Sequence, residues 1–232
     1  MIKIALVAAM EQEIIPLFEQ FATDSAWYQK DEKIFINDTL GISVYGSVLG
    51  VGKVNAAYHT AEILLEFSPK LVINIGFAGG MQHGVSRGDI VIGNDYRQVD
   101  FQGFNMGNEA GIIPKSKPYV IPEIFIKILV EKSKELGYPC HVGRITTGDF
   151  FLSDSKKKQE IIDKFTPVAF DMESAAVAHV CAEKGVAFVA VRTLSDLADD
   201  QAEATIKTSS DNIEQRPVKL VLNTLTRSLA SI

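Results

Sequence analysis

The 232-residue sequence has little of what usually announces a function. It holds two cysteines, Cys140 and Cys181, which lack a metal-site spacing and need no disulfide in a chain of this size. Its four histidines, His59, His83, His141 and His179, are isolated, with no His-x-x-x-His or mixed Cys/His pattern, so no metal is expected. No run of Lys or Arg is longer than Lys156–Lys158 and the net charge is −6, which argues against a basic face for nucleic acid. The apolar start, residues 2–9, is too short for a membrane span. It runs into Glu11 and Glu13 without a cleavage pattern, so a soluble cytoplasmic protein with no membrane partner is expected. There is no Gly-x-x-x-x-Gly-Lys-Ser/Thr loop, no Gly-x-Ser-x-Gly elbow, and no dinucleotide glycine spacing.

What is present is apolar and regularly punctuated. With 47% hydrophobic and 22% charged residues the chain can bury a substantial core. Apolar runs read as strands at residues 2–9, 34–36, 42–45, 47–49, 71–75, 90–92, 140–146, 168–171 and 186–193. Helical spacing falls between them: after Met10 to about Phe21, from Lys53 to about Phe67, and over 122–136, 156–165, 174–184 and 213–229. Pro16 in the first helix is tolerable near its start. Residues 96–118 read as one long irregular loop. No repeat or linker divides the chain, so one α/β domain over residues 1–232 is expected, with a mixed central sheet flanked by helices.

Several strands end at a carboxylate. Glu13 lies one turn after the first, Glu173 at the handover from the 168–171 run to a helix, and Asp196 after the last, with Arg192 four residues before it. Asp149 is a fourth, although Asp after Gly is ordinary turn chemistry. Ligands sit at the carboxyl ends of strands in open α/β sheets, and such acids can divide the roles of general acid, general base and cation stabiliser. The competing reading makes Glu173 and Asp196 helix caps that complement a helix dipole.

Six short motifs occur in order: Ala9-Met10-Glu11-Gln12-Glu13, Gly50-Val51-Gly52-Lys53-Val54, Asn74-Ile75-Gly76-Phe77-Ala78-Gly79-Gly80, Thr147-Gly148-Asp149-Phe150-Phe151, Asp171-Met172-Glu173-Ser174-Ala175 and Val191-Arg192-Thr193-Leu194-Ser195-Asp196. Together they resemble the bacterial methylthioadenosine/S-adenosylhomocysteine nucleosidases of the purine nucleoside phosphorylase superfamily, nearly end to end. The resemblance implies a nucleoside substrate, no cofactor and a homodimer. By the same resemblance, Glu13 would take a proton from water, Asp196 would protonate purine N7, and Glu173 would hold ribose hydroxyls beside the Met172 backbone. Arg192 would help position water and ribose, Phe151 would stack on the purine, and Leu152 would read its edge. It further implies substrate contacts at Met10, Val51, Phe77, Ala78, Gly79 and Ser195, and at Phe104, an aromatic that reaches a neighbouring subunit in that family.

Three departures stand out. Phe77 replaces the usual Ser, Tyr96-Arg97-Gln98-Val99-Asp100 replaces Tyr-His-Asp-Ala-Asp, and Thr205-Ile206-Lys207 stands where a Ser-Phe pair lines the 5′-pocket. The resemblance therefore covers the reaction centre and leaves the 5′-group open. A futalosine-type nucleosidase, a purine nucleoside phosphorylase and a non-catalytic nucleoside-binding protein remain as alternatives.

Overall fold

Side chains that alternate between two apolar clusters in three neighbouring strands organise the molecule, which a computed structural model describes over residues 1–101, 109–208 and 212–225. In β1 (Ile2–Ala8), Ile4, Leu6 and Ala8 enter one apolar cluster while Ala5 and Val7 enter another. The same division recurs in β5 (Leu71–Gly80) and β9 (Ala187–Asp196), where Ile73 and Val189 face one side and Val72 and Phe188 the other. A strand buried on both faces needs a helical layer on each. One layer holds α1 (Glu11–Thr23), α3 (Glu123–Glu135) and α7 (Gln215–Leu225); the other holds α2 (Lys53–Glu66) and α5 (Ser174–Lys184).

The remaining elements are β2 (Tyr28–Gln29), β3 (Ile34–Asn37), β4 (Ile42–Val48), β6 (Ile90–Gln98), β7 (Cys140–Thr147), α4 (Ser155–Phe165), β8 (Ala169–Asp171) and α6 (Ala202–Thr208). Among the described residues the sheet is nine-stranded and mixed, in the order β2-β3-β4-β1-β5-β8-β7-β6-β9. Because β9 also pairs with β5, the strands β5, β8, β7, β6 and β9 close on themselves. The parallel strands β1, β5 and β9 end on the same side of the sheet, and β8, antiparallel to β5, crosses its end at Gly79 and Gly80 and meets β7 at Thr147, so the motif-bearing segments gather there.

Several elements differ from the expectation. The runs at 42–45 and 47–49 are one strand, and Gly46 sits inside it because a Cβ there would lie 2.8 Å from the Phe18 ring. β5 does not stop at Ile75 but continues through its glycines, held in parallel register by β9. β9 likewise runs to Asp196, and β6 extends to Gln98 because β7 pairs with it as far as Thr147. Residues 96–98 therefore belong to the sheet and not to a loop. Pro16 lies in the second turn of α1, which continues past it although Gln12 loses its usual i+4 donor. The short elements β2 and α6 were not foreseen. Residues 226–229, expected to end the last helix, lie outside the described residues.

The Phe188 ring is 1% exposed, with its centroid 4.9 Å from that of Tyr96. Phe188→Ala should lower unfolding free energy by about 3–5 kcal/mol, shifting the urea midpoint without changing the slope.

Candidate active site

The motifs surround a cavity of about 870 Å³. Glu13 reaches it from the first turn of α1. Its Oε2 accepts from Met10 N at 2.9 Å and its Oε1 from Phe77 N at 2.8 Å, so α1 and the end of β5 hold both oxygens. Gly76 makes this approach possible: its φ is +143°, and a Cβ there would fall 2.6 Å from Arg192 Nη1 and 2.7 Å from Glu13 Cδ. Burial raises the Glu13 pKa above its ordinary value, opposed by the Arg192 charge and by the two N–H donors.

Glu173 occupies the N-cap position of α5, yet its side chain makes no cap bond. Asp171 does that work: its Oδ1 accepts from Glu173 N at 3.3 Å and from Ser174 N at 3.1 Å. Freed from its own helix, Glu173 accepts from Gly52 N at 3.0 Å, at the start of α2, and lines the cavity. Burial raises its pKa to about 7, helped by Asp171 and resisted by Arg192 and the Gly52 N–H.

Arg192 joins these acids from behind. Its side chain is fully buried and does not line the cavity, so any part it takes in positioning water or ribose is exerted through the carboxylates that it holds. Nε donates to Asp171 Oδ2 at 3.0 Å, Nη1 to Ile75 O at 3.1 Å and Nη2 to Ser174 Oγ at 3.1 Å, while Nη2 lies 3.7 Å from Glu173 Oε2. With the Asn74 amide set by its partners, its oxygen accepts from Arg192 Nη2 at 2.7 Å and its nitrogen donates to Val7 O at 3.2 Å.

Asp196 arrives by a different device. Ala78 pairs with Leu194 but Gly79 pairs with Asp196, so Ser195 is an extra residue on β9. Such a bulge re-aims the side chains beside it. Asp196 then accepts from Ser195 Oγ at 2.6 Å and from Ala198 N at 2.7 Å. Burial raises its pKa, although both hydrogen bonds pull the other way.

The cavity wall gathers most of the expected contacts. Met10 and Val51 lie at the starts of α1 and α2; Phe77, Ala78 and Gly79 come from β5, and Met172 and Ser195 stand beside the acids. Phe151 is 48% exposed at the wall, with Leu152 buried next to it. Phe104 falls outside the described residues. Asp149, weighed as a fourth acid, does not line the cavity; it accepts from Lys53 N at 2.8 Å. Sequence reasoning missed one face of α1, comprising Gln12, Ile15, Pro16 and Glu19, whose helical spacing was the available signal. It also missed Ile213, Glu214 and Gln215, which no local pattern marks as facing the cavity.

A family model described as the Phosphorylase superfamily matches residues 3–226. A relative from Bacillus velezensis named 5′-methylthioadenosine/S-adenosylhomocysteine nucleosidase is 34% identical over 228 residues, covering 97% of this chain and 99% of its own. The solved nucleosidase of that name from Neisseria meningitidis, in complex with methylthio-immucillin-A, is 30% identical. It superposes with a TM-score of 0.85 over 99% of this chain and 100% of its own. The structure of futalosine hydrolase from Helicobacter pylori is 25% identical with a TM-score of 0.83, covering 97% of each chain.

The raised pKa of Glu173 sets a sign for stability. The folded protein keeps this proton up to about pH 7, whereas an unfolded Glu releases it near 4.5. The contribution is therefore fully present below 4.5 and lost as pH rises through 7. Glu173→Gln should melt above the native protein at pH 8, with the difference closing toward pH 5. Loss of a cooperative transition in the variant would mark Glu173 as structural.

Proposed function

The chain belongs to the phosphorylase superfamily, and on that premise we propose that it hydrolyses the N-glycosidic bond of 5′-thio-substituted adenine nucleosides, methylthioadenosine and S-adenosylhomocysteine. The observation that carries this reading is the convergence of Glu13, Glu173 and Asp196, from separate elements, on one cavity with Phe151 and Leu152 on its wall.

The chemistry divides among these groups. As the C1′–N9 bond breaks, its electron pair moves onto the purine, and Asp196, held protonated more readily by burial, gives its proton to N7. Glu13, made more basic by burial, takes a proton from the water that attacks C1′. Glu173 accepts hydrogen bonds from the ribose hydroxyls and offsets the positive charge that develops on the sugar. The Gly52 N–H and Arg192 favour the ionised form that this role needs.

Water is favoured over phosphate as the acceptor by the charge of the wall. Among the described residues, Glu13, Glu19, Asp171, Glu173, Asp196 and Glu214 line the cavity against one cation, Arg87. That cation's Nε is already committed to Ser195 O at 2.9 Å. An anion would meet repulsion there, where phosphate recognition calls for convergent donors. A futalosine-type nucleosidase is the second reading, favoured by the size of the cavity and by Ile206 on its wall.

We also read the chain as one cytoplasmic domain acting as a homodimer. Val54, Tyr58 and Leu65 are 79%, 60% and 71% exposed along one face of α2, beside the cavity residue Val51. An apolar helical face of this kind fits a second copy. Val54→Asp should convert a dimer to a monomer by light scattering, and a native monomer would refute the assignment.

Adenine release from methylthioadenosine, at a rate indifferent to added phosphate and with a free reducing sugar, is the expected result. Strict phosphate dependence and a sugar 1-phosphate would refute it, and release of base only from futalosine would select the second reading. Asp196→Asn should lower turnover on methylthioadenosine by about 10²–10⁴-fold. The loss should be far smaller on a riboside with a nitrophenolate leaving group, which needs no proton. Equal losses would make Asp196 a positioning group.

A further inference from the structure

Lys53, Asp100 and Asp149 form a polar cluster beside the cavity to which the reaction above gives no role. The Lys53 Nζ donates to Asp100 Oδ1 at 2.6 Å and to Gln98 Oε1 at 3.3 Å. Asp149 Oδ1 accepts from Lys53 N at 2.8 Å, and Asp149 N donates to Asp100 Oδ2 at 3.0 Å. Three distant segments are joined: the start of α2, the end of β6 and the turn after β7. Two of them carry parts of the cavity, since Val51 leads into α2 and Phe151 and Leu152 follow Asp149.

The cluster also completes the N-terminus of α2. Gly52 stands at the N-cap with φ +92° and has no side chain to offer, and a Cβ there would lie 3.3 Å from Asp149 Oδ1. The orphan donors of that first turn are taken instead by carboxylates from elsewhere, Lys53 N by Asp149 and Gly52 N by Glu173. One backbone step therefore connects the Lys53 cluster to the acid that faces the sugar. Lys53 is only 18% exposed, and the Asp100 pKa lies below its ordinary value because its bonds to Lys53 and Asp149 outweigh the effect of burial. The pair is thus a fixed contact and not a loose surface one.

We propose that Lys53 is a positioning residue: through Asp100 and Asp149 it clasps the aromatic wall to the α2 lead-in and keeps the Gly52 N–H on Glu173. The consequence for ribose rests on the nucleosidase reading above. A clasp of this kind acts on the part of the site that distinguishes a 2′-hydroxyl. Its loss should damage riboside turnover selectively, and an arginine, which keeps the charge, should restore most of it.

The test compares wild type, Lys53→Met and Lys53→Arg on methylthioadenosine and its 2′-deoxy analogue across pH, with thermal melts alongside. Lys53→Met should lower kcat/KM on the riboside by about 10–100-fold, the order expected for a small misplacement of a reacting group. The riboside-to-deoxyriboside ratio should fall with it, and the pH limb that follows Glu173 should move upward. Equal losses on both substrates with an unmoved limb would overturn the proposal. If Lys53→Met lacks a cooperative melt, Asp100→Asn carries the same comparison. Independently of turnover, the Gly52 amide proton in the resting wild type should titrate with Glu173 by NMR, and Lys53→Met should abolish that titration. An unchanged titration overturns the clasp, whereas a wild type that releases no adenine but shows the effect removes the nucleosidase reading and leaves the clasp standing.

Discussion

A guanidinium with no access to water is the constraint around which the rest of this structure is arranged. Arg192 is 0% exposed, and an unpaired charge so placed would be strongly destabilising. Four residues from two stretches of the chain supply the compensation: Asp171 at the end of β8, Ser174 at the start of α5, the Ile75 carbonyl in β5 and Asn74 beside it. Each partner fixes an element. The bonds to Asp171 and Ser174 hold α5 against β9, and the bond to Ile75 seats β9 against β5. Glu13 and Glu173 then sit within the field of the same cation. Burial pushes the pKa of Glu13 and of Glu173 upward, and the charge of Arg192 pulls each of them back.

Asp196 is handled apart from that cluster. Its proton affinity comes from burial and is moderated by the Ser195 hydroxyl and the Ala198 N–H, with Asp199 raising it and Lys158 lowering it. Burial raises the pKa in both environments, but the groups that oppose it differ: Arg192 for Glu13 and Glu173, the Ser195 hydroxyl and the Ala198 N–H for Asp196. The separation depends on the β-bulge at Ser195, and on the narrow approach at Gly79, where a Cβ would lie 3.1 Å from Asp196 Oδ1. The acid that would face the base and the acids that would face the sugar are thus placed by different mechanical devices.

The sequence by itself determined most of the strands and helices, though not the short β2 and α6 or the full reach of β5 and β6, because apolar runs and helical spacing are local properties. Ile4, Leu6 and Ala8 alternate with Ala5 and Val7 in any account of β1. It also determined that Glu13, Glu173 and Asp196 stand near strand ends, and the six motifs in order carried the resemblance to the nucleosidases. Only the tertiary structure decided what those acids do locally. Glu173 could have been a cap until Asp171 took the cap bonds, and Asp149 could have been a fourth acid until it was found on the α2 N-terminus. Arg192 could have faced the cavity until its burial placed it behind the carboxylates. The continuation of β5 through glycines required its partner β9, more than a hundred residues away. Hydrogen-bond partners, desolvation and strand neighbours are set by atoms from distant segments, and no local pattern of residues encodes them.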